Sequence, residues 1–237
     1  MANLIKLPLT GPVVGIVIPL TLTDGELSLP TPVNKWKFGC LTKDSGLLIP
    51  ASEANAAADA EYLNWETNDW KKARYAINEE TYDGLTGDLV SEAEESGNVS
   101  QIDLVSNNLP VDTEADITDH ADLLLAEETL RDAPSLVVMD LGKGPSTITR
   151  NNIGFALLWG YMTSERKVKA DGRTPITHLY TFKAASFTLD ATDEATMTGV
   201  GWLGSITPEI GGSAVTFPDI TAAALTRLKA GKWAIIK

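Results

Sequence analysis

IGFALLWGYMTSERKVKADGRTPITHLYTF, residues 153–182, reads as one long β-hairpin. Ile153, Phe155, Leu157, Trp159 and Tyr161 occupy every second position, the period that turns alternate side chains to one face of a strand. The strand runs on into a polar stretch from Ser164 to Lys169. Asp171 and Gly172 then supply a turn, and Ile176, His178, Tyr180 and Phe182 return at the same period. The base of this ribbon is apolar and its tip is charged. Such a tip is too polar for the chain's own core and too long for a simple turn. The ribbon is therefore expected to project, either packing on another subunit or standing solvated without a partner. Arg166, Lys167, Lys169 and Arg173, which cluster toward its end, are the candidate subunit-interface residues.

More strand signals lie on both sides. Residues 12–22 are rich in Val and Ile, and Lys35-Trp36-Lys37-Phe38 alternates polar with apolar, as a half-buried strand does. Leu136-Val137-Val138-Met139 reads as a buried strand. Phe187 with Leu189, Thr198 with Val200 and Trp202, and Trp233 to Ile236 read as short strands. Helical spacing occurs three times. Ser52 caps a run with Ala56, Ala60 and Leu63 on one face. Asp119 leads into Leu123, Ala126 and Leu130, and Pro134 ends that run. A last helix starts near Asp219, aligns Ile220, Ala224 and Leu228, and stops at Gly231. Strands and helices do not alternate regularly, which disfavours a doubly wound α/β fold, and no fixed-period repeat is evident. The expected class is mainly β (α+β): a β-sandwich or barrel over residues 1–237 as a single domain, with a long projecting hairpin and two or three short helices.

With 43% hydrophobic and 22% charged residues, the chain can bury a core and is not globally disordered. Its longest apolar stretch, Pro12 to Leu22, is broken by Gly15 and Pro19 and is too short to span a bilayer, so no membrane partner is expected. It makes a poor signal peptide for the same reason. The single cysteine, Cys40, cannot form an internal disulfide and is read as a small buried hydrophobe.

The net charge of −13 is unevenly placed. Glu79 to Asp140 holds 17 acidic residues against one basic residue, Arg131, while residues 141–237 carry 11 basic and 7 acidic groups. Phosphate binding depends on Lys and Arg, so the middle segment repels nucleic acid. It is expected as an acidic insertion or loop region at about 79–132. Either it solvates the surface, or it meets a basic patch on a neighbour such as the hairpin end.

Sequence motifs for chemistry fail on physical grounds. Gly142 to Thr147 resembles a phosphate loop, but Val137 stands where the first glycine is needed, Gly144 replaces the magnesium-binding hydroxyl, and Pro145 removes an amide donor. Asp112, Glu114 and Asp116 open like a calcium loop, yet Ile117 replaces the turn glycine and Leu123 the closing carboxylate. His120 and His178 are the only histidines, and neither belongs to a His-Glu-x-x-His pair. His178 alternates with apolar residues and is read as a packed strand residue. No catalytic residue, cofactor or metal is expected, and the chain is not read as an enzyme.

In its size, its Val/Ile-rich opening strand, its long hairpin 153–183, and its Thr-rich segments Ser186–Asp190 and Ala195–Trp202, the chain resembles bacteriophage tail tube proteins. The resemblance is one of layout and rests on no single motif. It implies a β-barrel or sandwich whose sheets join between subunits into stacked hexameric rings. It also implies a negative channel through which DNA slides without specific binding, contacts with other virion proteins, and residence in the virion after synthesis in the host cytoplasm. Two other functions fit a strand-rich chain without chemistry: a capsid decoration or other virion protein, and a carbohydrate-binding β-sandwich module. The second usually displays exposed aromatic platforms, whereas most Trp residues here sit in apolar contexts.

Overall fold

A computed structural model describes residues 2–7, 13–29, 36–41, 44–50, 75–82, 89–92, 99–106, 111–112, 124, 127–128, 130–140, 154–168, 175–206, 209–210, 213–214 and 216–236. The chain is mostly β, with a curled, half-barrel antiparallel sheet and short helices, the α+β class that the alternation predicts.

The strands of the first half are β1 (Ala2–Leu7), β2 (Val13–Pro19), β3 (Thr21–Thr23), β4 (Glu26–Ser28), β5 (Trp36–Leu41), β6 (Gly46–Pro50), β7 (Tyr75–Tyr82), β8 (Leu89–Glu92), β9 (Gln101–Ser106) and β10 (Val111–Asp112). Those of the second half are β11 (Ser135–Asp140), β12 (Phe155–Val168), β13 (Pro175–Ala184), β14 (Thr188–Leu189), β15 (Glu209–Ile210), β16 (Ser213–Ala214) and β17 (Ala234–Ile236). Two α-helices follow the hairpin, α1 (Ala191–Met197) and α2 (Ala222–Lys229).

Among the described residues, twelve strands join one sheet in the order β10-β5-β2-β11-β12-β13-β9-β6-β1-β7-β8, with β17 added beside β12. The sheet curls far enough that β5 reaches β9 through the single pair Leu41↔Ser106. Gly15 on β2 marks how tight that curl is. A Cβ there would lie 3.1 Å from a Leu104 methyl carbon on β9 and 3.4 Å from Leu41 on β5. The concave face is filled by Val17, Val137, Met139, Leu158, Leu104 and Phe182, all fully buried.

The convex face is buried too, under the C-terminal segments. Ile16, Ile18, Leu136, Val138, Phe155, Leu157 and Trp159 form one cluster with Met197, Leu203, Phe217, Ile220, Leu225 and Leu228. Phe155 meets Phe217 edge-on, with ring centroids 5.0 Å apart. Burial on both faces explains why the first half of β12, Phe-Ala-Leu-Leu-Trp, is apolar at every position and not only at alternate ones.

The helices differ in part from the sequence reading. Thr198, Val200 and Trp202 are not a strand. Ala191–Met197 is α1, and Thr198 to Gly201 turns away from it. The Asp190 carboxylate caps α1 by accepting the Asp193 N–H at 2.7 Å, and Asp193 and Glu194 lie in its first turn, where negative charge is favoured. Thr196 keeps its hydroxyl satisfied inside the helix by donating to the Thr192 carbonyl at 2.9 Å. Thr-rich composition suggested β; a cap and local side-chain bonds made helix.

The last helix is capped two residues later than the start expected near Asp219. Thr221, not Asp219, is its cap, accepting the Ala224 N–H at 3.1 Å. Asp219 instead accepts the Gly201 N–H at 2.6 Å and pins the turn after α1. The predicted helix after Asp119 is helical at Leu124, Glu127, Glu128 and 130–132, with Leu130 buried. The run after Ser52 lies outside the described residues, as do Gly142–Thr147.

Candidate assembly surface

β12 carries the hairpin out of the core as one uninterrupted strand. Its first half pairs with β11 from Phe155 to Gly160 on one edge and with β17 from Phe155 to Leu157 on the other. From Gly160 onward that second edge pairs with β13, ending at Val168↔Pro175. On the β11 side, β12 has no strand partner beyond Gly160 among the described residues. β13 in turn pairs with β9 only from Lys183 back to His178. Past that level, at Lys167–Val168 and Pro175–Thr177, the hairpin is two-stranded among the described residues.

Gly160 is where the strand changes partners, and the site tolerates no side chain. A Cβ there would fall 1.8 Å from the Lys183 carbonyl oxygen, inside the backbone of β13. This close approach sets the hairpin's root: Ala184 N–H donates to Ser100 O at 2.9 Å and Ala185 N–H to Trp159 O at 3.2 Å.

The two faces of the ribbon differ sharply. Met162, His178, Tyr180 and Phe182 face the concave interior and are buried. His178 stacks on Tyr180 with an interplanar angle of 11°, a packed strand position as its alternation suggests. Arg131, on the helical segment before β11, donates to the Ser164 hydroxyl at 3.2 Å and holds that segment beside β12. On the convex face Tyr161, Thr163, Glu165 and Lys167 are exposed. Next to them Thr181 donates to Asp103 Oδ1 at 2.8 Å, and Gln101 donates to the same oxygen at 3.3 Å, so this part of the sheet surface is a polar ladder.

Of the four predicted interface residues, Arg166 lies in β12 opposite His178, and Lys167 lies next to it opposite Thr177 with its side chain exposed. Lys169 and Arg173 lie outside the described residues. Sequence reasoning missed the exposed group at the ribbon's root. Tyr161 is 40% exposed and sits directly opposite Lys183 on the same face, which is exposed as well. Phe187 lies behind Tyr161, centroids 5.7 Å apart, and in turn meets buried Trp159 at 6.1 Å. These edge-to-face pairs hold Tyr161 on a rigid base, at about 0.5–1.5 kcal/mol each beyond burial. The legible signal was Tyr161 itself, the last member of the apolar alternation before the strand turns polar.

The middle segment is not all loop. It supplies β8, β9 and β10, and β9 lies inside the sheet between β13 and β6, with Ile102 and Leu104 fully buried. Asp112, the first residue of the calcium-loop lookalike, is in β10; Glu114 and Asp116 lie outside the described residues. Among the described residues no group of three or more His, Cys, Asp or Glu is placed to hold a metal ion, and no helix is long and apolar enough to cross a membrane. No family model matches this chain, and no curated protein and no solved structure matches it.

Proposed function

We propose that this chain is a virion structural protein, a self-assembling tail tube subunit that stacks in rings around a DNA channel. The observation that carries the proposal is the ribbon. β12 runs from a core buried on both faces into a stretch whose convex-face residues Tyr161, Thr163, Glu165 and Lys167 are exposed, and beyond Gly160 its β11-side edge has no strand partner among the described residues. Exposed strand edges are templates for pairing with another chain, and monomeric proteins shorten or cover them. A copy of this chain meets the need symmetrically, and rings follow when such head-to-tail contacts close.

Two further features support the reading. The fold is a curled, half-barrel antiparallel sheet, compatible with the β-barrel or sandwich that the tail tube resemblance implies. The charge is divided between an acidic middle and a basic C-terminal part, which favours association of unlike surfaces and lets DNA pass an acidic wall without sticking. The resemblance loses one of its supports, because Ala195–Trp202 is the end of α1 and a turn and not a Thr-rich strand.

Negative-stain electron microscopy and sedimentation of purified protein over a concentration series test the proposal. Rings or tubes with a central channel are expected. A protein that stays monomeric at every concentration would reject it.

A further inference from the structure

Resting on that self-assembly, we infer that the turn carrying Val200 in one copy seats in the depression at the root of a second copy's hairpin. Val200 is 95% exposed, the most exposed large hydrophobic residue among those described. Its position is fixed by three local features. The Trp202 N–H donates to the Gly199 carbonyl at 3.1 Å and closes a four-residue turn with Val200 at its corner. Gly201 has φ +79°, as the third residue of a type II turn requires. Asp219 braces the turn by accepting the Gly201 N–H at 2.6 Å. Turns draw on Gly, Pro, Asn, Asp and Ser for their corners, whereas Val is β-branched and gains no burial here within its own molecule. A local rule broken without a compensating contact marks a position whose partner lies elsewhere.

The depression offers the cover that Val200 lacks. It is open, with a volume of ≈ 580 Å³, and Val99, Tyr161, Ala184, Ala185, Phe187 and Ala230 give it apolar walls. It is also preformed. Phe187 backs Tyr161 edge-on at 5.7 Å, and the turn from α2 to β17 passes so close that a Cβ on Gly231 would lie 3.0 Å from Ser186 N. Val200 does not line this depression, so the knob and its seat are different patches of one chain. A contact between unlike patches repeats head to tail from copy to copy and closes into a ring when the rotation allows.

Charge favours the same pairing. Residues 190–219, which carry the turn, hold five acidic groups and no basic one, whereas residues 161–187 hold five basic and two acidic groups. Asp219 is exposed beside Val200, and Lys183 is exposed opposite Tyr161 at the edge of the depression. A copy that seats Val200 presents its Asp219 carboxylate to that ammonium. A second copy supplies the turn at the concentration of the assembly itself.

Disulfide trapping between copies tests the inference. Val200→Cys protein is mixed with Ser186→Cys protein, both carrying Cys40→Ala, and oxidised with oxidised glutathione. Linked pairs are expected at least about fivefold above those from Val200→Cys mixed with Thr192→Cys, because a disulfide forms only where Cα atoms approach to about 7 Å or less. Thr192 is exposed and lies outside the depression. Val200→Glu in the otherwise unchanged chain makes the result independent of Cys40. It is expected to raise the concentration needed for assembly about tenfold while the unfolding midpoint of the dilute chain stays put, as exposed substitutions do. Equal trapping at Ser186 and Thr192, or assembly indifferent to Val200→Glu, would overturn the inference and leave self-assembly standing. Protein that never assembles would overturn both.

Discussion

Replacing Gly160 by Ala should be among the most damaging single-methyl additions in this protein. The added Cβ would start 1.8 Å from the Lys183 carbonyl oxygen, and real Cβ contacts do not come under 3.0 Å. The obstacle is backbone, so no rotamer change relieves it; β12 and β13 must separate by more than an ångström. The Ala185 N–H to Trp159 O bond, already 3.2 Å long, crosses the separating strands, whereas the Ala184 N–H to Ser100 O bond at 2.9 Å ties β13 to the β9 side and stays. Losing the first costs about 1 kcal/mol, and the overpacking adds about 1–3 kcal/mol. The expected loss is about 2–4 kcal/mol, or a fall in Tm of about 4–16 °C for a chain of this length. Gly25→Ala is the control. It has φ +85° with nothing within 4 Å of the added carbon, so it tests backbone conformation alone, at about 1–2 kcal/mol. Urea unfolding of both variants, followed by far-UV circular dichroism, separates the two costs. A Gly160→Ala loss no larger than that of Gly25→Ala would refute the claim that close strand approach shapes the hairpin root.

Reversing charge with Arg166→Glu and Lys167→Glu should weaken assembly in sedimentation, with exposed Lys167→Glu by itself shifting the stability of the isolated chain by no more than about 0.5 kcal/mol; unchanged assembly would remove this level of the ribbon from the interface. Asp190→Ala should cost about 1 kcal/mol in denaturant unfolding through loss of the α1 cap. Leu228→Ala, fully buried on α2 against the convex face, should cost about 2–5 kcal/mol, and a loss below about 1 kcal/mol would show that α2 does not seal that face.

The parts legible in the sequence were those where one periodicity acts over many residues. The hairpin's alternation gave strand positions to within a residue or two, and Ile220, Ala224 and Leu228 gave the buried face of α2. What escaped was decided by single local bonds or by packing from both sides. Asp190 is one cap among many acidic residues, yet it turns Ala191–Met197 into helix against the β leaning of its threonines. β9 was hidden because two of its three convex-face residues, Gln101 and Asp103, are polar, leaving Ile102, Leu104 and Val105 to announce it amid turn-forming sequence. The root of the ribbon was only half visible. Tyr161 can be read as the last apolar position of a strand, but its pairing with Lys183 depends on hairpin register, and its nearness to Lys232 depends on a turn 70 residues further on. Spacing within one segment carries no trace of such meetings.

β12 also has a mechanical consequence. The strand that forms the ribbon is the same strand that is clamped between β11 and β17 at its base, with no loop between. Traction on the ribbon therefore passes along covalent backbone into Phe155–Gly160. There it runs parallel to the strand and perpendicular to the ladder bonds, loading them together in shear instead of peeling them one by one. A protrusion anchored in this way acts as a stiff tenon, passing force applied at its tip straight into the core of its own molecule.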